Sequence, residues 1–186
     1  MSRNDLRALV LLAEGAEEME ATIAVDVLRR AKIEVVLAGV AGAEPVRCSR
    51  GVRIVPDVAL SDAAGPFDVV VLPGGKGGAD RLAASQAVGE LLRAQVAAGR
   101  LVAAICAAPI ALAAHGVLAG LRMTCHPSVN DTVAAHGRLT HAPVVEDGLL
   151  VTSQGPGTAF VFALAIVARL CDADVAAKVR APMMLP

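Results

Sequence analysis

The chain has 186 residues, 55% of them hydrophobic and 2% aromatic, with 17 basic against 18 acidic side chains and a formal net charge of -1. That length suits one domain, 1–186, whose core needs no disulfide or metal staple, and the balanced charge excludes a basic stripe, so no stable nucleic-acid binding is expected. Without Trp or Tyr there is no stacking platform for bases; the opening MSRNDLRALVLLAEG turns acidic too soon for a signal peptide or spanning helix, so a cytoplasmic protein without a membrane partner is expected, with nucleus and mitochondrion as further compartments.

Strand-like runs alternate with helical patterns along the chain. LRALVLLA, EVVLAGV, DVVVLPGG, LVAAIC and GLLVTS read as strands, and residues 17–31, 85–98, 107–115 and 157–170 as helices. This predicts βαβ units and an α/β fold: a doubly wound, mostly parallel sheet between helices, as in a flavodoxin-like sandwich. VRCSRGVRIV and APVVEDGLLV read as hairpins, since β-branched residues flank a Gly-bearing turn in each. Ligands of such sheets bind beyond the carboxyl ends of the parallel strands. Here those ends carry AEGAEEME, LPGGKGGAD, CAAP and SQGPGT.

On the first helix, positions 20, 23, 24, 27, 28 and 31 share a face and read Glu, Ile, Ala, Val, Leu, Ala, while Glu18, Asp26, Arg29 and Arg30 fall mostly on the solvated side. Glu20 is thus a carboxylate on an apolar face. Either it leans out to water and favours the helix dipole, or it is buried with a raised pKa and a hydrogen-bond partner.

Cys106 ends one buried strand and precedes a helix that can carry Pro109 in its first turn, a nucleophile-elbow arrangement. Free N–H groups and the helix dipole there are expected to lower the thiol pKa. The other reading is a small hydrophobe filling the core. The four cysteines, at 48, 106, 125 and 171, show no CxxC spacing and are expected to be reduced.

The PGGKGG loop offers backbone N–H groups for an oxyanion. As a nucleotide motif it is weak, because Asp80 stands where a GxGxxG starting at Gly75 needs Gly, and neither Ser nor Thr follows the Lys. Of the histidines, His126 in TCHPS follows a short strand and could supply a proton; His115, His136 and His141 read as ordinary helix-end or loop residues.

GAEEMEATIAVDVLRRA, VRCSR, FDVVVLPGG, AAICAAP, HPS, DGLLVTSQGPGT and FALAIVARL, in this order, resemble the Parkinson disease protein 7 family of the DJ-1/PfpI superfamily from about residue 7 to the end. The resemblance implies that Cys106 is the reactive nucleophile, that the protonated carboxyl of Glu20 hydrogen-bonds its sulfur, and that His126 is the neighbouring histidine. It implies oxyanion-hole N–H groups at Gly75 and Ala107, a homodimer, and an arginine, Arg50, reaching the site from the partner subunit. The tail after Cys171 resembles the family's additional C-terminal helix. Val55 replaces a second family cysteine, which removes an interfacial thiol or copper site; Gln154 and Val161 replace a common Arg and Glu, and the segment 134–146 is shorter.

The expected function is a cysteine-dependent glyoxalase or deglycase, acting on methylglyoxal and its early adducts with proteins and nucleotides, with no metal or organic cofactor. The alternative is a redox-sensing, chaperone-like stress protein whose Cys106 is oxidised to sulfinate. A peptidase of the superfamily is a distant third, because Ala107 stands where that branch has a histidine after the nucleophile.

Overall fold

The computed structural model describes residues 6–185. The chain runs β1 (Arg7–Leu12), α1 (Glu18–Arg30), β2 (Glu34–Gly39), β3 (Val46–Arg47), β4 (Arg53–Ile54), β5 (Val58–Ala59), β6 (Val69–Leu72), α2 (Lys76–Ala84) and α3 (Gln86–Ala97). It continues with β7 (Leu101–Ile105), α4 (Pro109–Ala114), β8 (Arg122–Met123), α5 (Asn130–His136), β9 (Arg138–Leu139), β10 (Val144–Asp147), β11 (Leu150–Ser153), α6 (Ala159–Leu170) and α7 (Ala173–Arg180).

Seven strands form one sheet in the order β10-β11-β7-β6-β1-β2-β5, parallel throughout except for β10 at one edge. Every residue of β6 (VVVL) and β7 (LVAAI) is buried, as expected of central parallel strands covered on both faces. The doubly wound architecture is therefore as the sequence predicts. Both hairpins are present, β3 against β4 and β10 against β11. The stretch expected to be helical at 85–98 is preceded by a separate helix, α2, and Ser85 caps α3 by accepting from Val88 N–H.

From β1 the chain winds to β2 and β5, and from β6 it winds the other way to β7 and β11. Right-handed crossovers in opposite directions place their helices on opposite faces. They also open a crevice where β1 and β6 lie side by side, beyond their carboxyl ends. The loops leading into α1 and α2 meet there.

Helix α1 is N-capped by Glu17, whose carboxylate accepts from Glu20 N–H at 2.8 Å, and it carries Arg29 and Arg30 in its last turn, favourable for the helix dipole. Glu18, expected on the solvated side, is instead buried. Its carboxylate accepts from Ser49 Oγ at 2.8 Å and Arg50 N–H at 2.9 Å, anchoring the β3–β4 hairpin over the crevice. Among the described residues no helix is long and apolar enough to cross a membrane.

Candidate active site

Cys106 follows β7 with φ 63°, a left-handed conformation that costs a side chain about 1–2 kcal/mol. The fold enforces it from both sides: Cys106 N–H donates to Ser153 O at 2.9 Å, and its carbonyl accepts from His126 N–H at 2.8 Å. Helix α4 then begins at Pro109, where the missing N–H is harmless. The elbow is real, and Cys106 as a residue is 8% exposed.

Glycines let the neighbouring loop press against that elbow. A Cβ on Gly74 would lie 2.5 Å from Cys106 Cβ, and one on Gly75, at φ 77°, would lie 2.5 Å from Gly15 O. The Gly75 and Ala107 N–H groups consequently hydrogen-bond toward the Cys106 sulfur. The family resemblance implies an oxyanion-hole role for the same two N–H groups.

Glu20 is 1% exposed, so the buried alternative holds. One carboxyl oxygen, Oε2, accepts from Gly74 N–H at 2.7 Å. The other, Oε1, is buried without a nitrogen or oxygen partner, and the carboxyl engages the Cys106 thiol. Burial raises its pKa from 4.5 to about 7, against the opposing pull of the Gly74 N–H. Gly74 thus orients Glu20, a role that the sequence reading, which singled out Gly75, passed over. It becomes visible only when α1 and the Gly-rich loop are brought together.

The expected low thiol pKa is overturned. Burial and the negative charge of Glu20 push Cys106 up to about 12, and the N–H groups of Gly75 and Ala107 offset only part of this. The dipole of a six-residue helix cannot compensate for desolvation beside a carboxylate. Carboxyl and thiol together therefore hold at most one negative charge near neutrality. Cys48 and Cys125 are also pushed up by burial, each to about 11.

His126 is exposed. Its main chain bonds Cys106, while ring Nδ1 takes Ser128 N–H at 3.2 Å and lies 2.8 Å from Ser128 Oγ, which leaves Nε2 for other chemistry. Arg50 is exposed, its guanidinium resting on Ser49 O at 3.4 Å. A crevice of about 700 Å³ bordered by Gly15, Arg47, Arg50, Lys76 and Arg81 opens beside this loop. His115 and His136 each bond a carbonyl, Leu82 O and Val117 O, and serve packing. Among the described residues no group of three or more His, Cys, Asp or Glu is placed to hold a metal ion.

The chain is similar in sequence and in fold to known proteins. A zebrafish (Danio rerio) Parkinson disease protein 7 homolog is 55% identical over 183 residues, covering 96% of this chain and 97% of that protein. A Caenorhabditis elegans protein named glutathione-independent glyoxalase DJR-1.2 is 48% identical, covering 88% of each chain. The crystal structure of Drosophila melanogaster DJ-1beta superposes with a TM-score of 0.96 at 48% identity, covering 98% of this chain and 99% of that one. The sequence profile of the DJ-1/PfpI family matches residues 6–169, and the chain belongs to that family.

Proposed function

We propose that the protein is a cysteine-dependent glyoxalase that needs no organic cofactor and acts on methylglyoxal and on its early adducts with proteins and nucleotides. The observation that carries this reading is a thiol on a strained elbow paired with a buried carboxyl whose pKa lies at about 7, close to the ideal for moving protons at neutral pH. The name of the C. elegans relative agrees with it.

As carboxylate, Glu20 takes the thiol proton while Cys106 sulfur adds to the aldehyde carbon, which forms a hemithioacetal. The N–H groups of Gly75 and Ala107 donate to the oxygen as it gains charge. Glu20, having passed the thiol proton to the new alkoxide oxygen, then carries the proton of the former aldehyde carbon to the adjacent ketone carbon while the hydroxyl proton moves to the former ketone oxygen, giving an S-lactoyl thioester. Water cleaves the thioester, releasing lactate and restoring the thiol. One carbon is oxidised and its neighbour reduced within the same molecule, so methylglyoxal plus water balances to lactic acid. His126 Nε2 is the candidate relay for the proton leaving water, and Arg50 contacts substrate from the second subunit of a homodimer.

Exposed apolar side chains at Met19, Val52, Val55 and Val161 support the dimer; light scattering at micromolar concentration tests it. Lactate formation from methylglyoxal without glutathione tests the activity. Turnover should vanish in Cys106→Ala, and full turnover in that variant removes the reading. Redox sensing is supported by the same groups, since a protonated Glu20 and two N–H donors would also hold a sulfinate. Peroxide treatment followed by peptide mass analysis should then confine oxidation to Cys106, and oxidation spread over Cys48, Cys125 and Cys171 would count against it.

A further inference from the structure

At the opposite end of β7 from the thiol lies a second cleft, of about 560 Å³, within the range of small-molecule sites. Residues of the segment from 59 to 67, which includes a short 3-10 turn at Leu60–Asp62, line it on one side and residues of α3 on the other. The cleft between that segment and α3 is walled mainly by apolar side chains, among them Leu9, Val40, Leu60, Phe67 and Leu91.

Its polar groups are few and mostly occupied. Gln95, 2% exposed, donates through Nε2 to Phe67 O and Leu101 O, each at 3.0 Å, and its Oε1 accepts from Arg100 Nε at 3.2 Å. The Arg100 guanidinium is thereby held by a buried amide at the cleft. Among the described residues no carboxylate pairs with it. Glu90, also on the lining, accepts from Gln86 Nε2 at 2.8 Å.

We propose that this cleft binds a small amphipathic carboxylate, its apolar chain against Leu9, Leu60, Phe67 and Leu91 and its carboxylate on the Arg100 guanidinium. One held guanidinium matches one carboxylate, for which its paired N–H groups are shaped. The nearby Glu90 disfavours a dianion. Arg100 and Cys106 sit six residues apart at opposite ends of β7, about 20 Å along an extended strand. This site is therefore separate from the thiol, and its occupancy does not depend on the proposed chemistry there.

The probe is octanoate, titrated calorimetrically into the whole chain, with octan-1-ol as its uncharged counterpart. One site per chain is expected, with octanol bound at least tenfold more weakly. Arg100→Gln should weaken octanoate at least tenfold, Arg100→Lys less, and Ala87→Phe, which fills the cleft from α3, should abolish binding; melting curves confirm that each variant folds. Amide shift changes should centre on residues 59–67 and 87–100. Absence of binding, equal affinity in wild type and Arg100→Gln, or shifts centred on Cys106 would overturn the proposal.

Discussion

The Glu20 carboxyl and the Cys106 thiol occupy one buried site, in which the carboxylate charge raises the thiol pKa while the thiol, hydrogen-bonding the carboxylate, opposes part of the rise that burial imposes on Glu20. If that coupling governs reactivity, removing the carboxylate charge should make the thiol easier to ionise while stopping proton transfer to substrate. Glu20→Gln is expected to show a lower pKa for Cys106 alkylation than wild type, yet at least a 100-fold loss of methylglyoxal turnover. An unchanged alkylation profile would mean that burial alone sets the thiol pKa.

Stability should carry the same signature. Glu20 has a folded pKa of about 7 against 4.5 unfolded, so the folded state holds the extra proton between these values and stability falls as pH rises through them. The shift corresponds to about 3 kcal/mol, present in full below pH 4.5 and lost above pH 7. Urea unfolding of wild type and Glu20→Gln at several pH values measures it. The variant should gain on wild type across this window, whereas a constant difference would show that Glu20 is ionised at no cost.

Backbone strain at the elbow predicts an inverted ranking of substitutions. Glycine normally lowers stability relative to alanine, but at φ 63° it relieves about 1 kcal/mol or more. Cys106→Gly should therefore melt at or above Cys106→Ala. The usual order, with alanine clearly higher, would show that the left-handed conformation is not enforced.

Gly75→Ala should destabilise the protein by more than about 2 kcal/mol, because a Cβ at φ 77° is both strained and 2.5 Å from Gly15 O. The displaced loop would also carry the Gly75 N–H away from the sulfur. Denaturant midpoints and methylglyoxal kcat, measured together, should fall together. A stable variant with intact kcat would remove Gly75 from the oxyanion site.

Local pattern determined most of the architecture. Fully apolar runs such as VVVL and LVAAI can only be central parallel strands when helical patterns separate them, and one carboxylate on the apolar face of α1 marked Glu20 because burying it requires a partner. The strand-to-helix junction marked Cys106 and the short strand before it marked His126, while resemblance to a family added Gly75, Ala107 and Arg50. What the sequence could not decide was the electrostatics of the assembled site. The dipole argument for a low thiol pKa counts only neighbours along the chain, whereas the groups that dominate, Glu20 and the surrounding core, come from other elements. For the same reason Glu18 moved from the solvated face to the anchor of a hairpin, since its partners Ser49 and Arg50 are more than thirty residues away. Periodicity records which face is apolar; only the tertiary structure determines which groups meet there, and desolvation and Coulomb energy depend on that meeting.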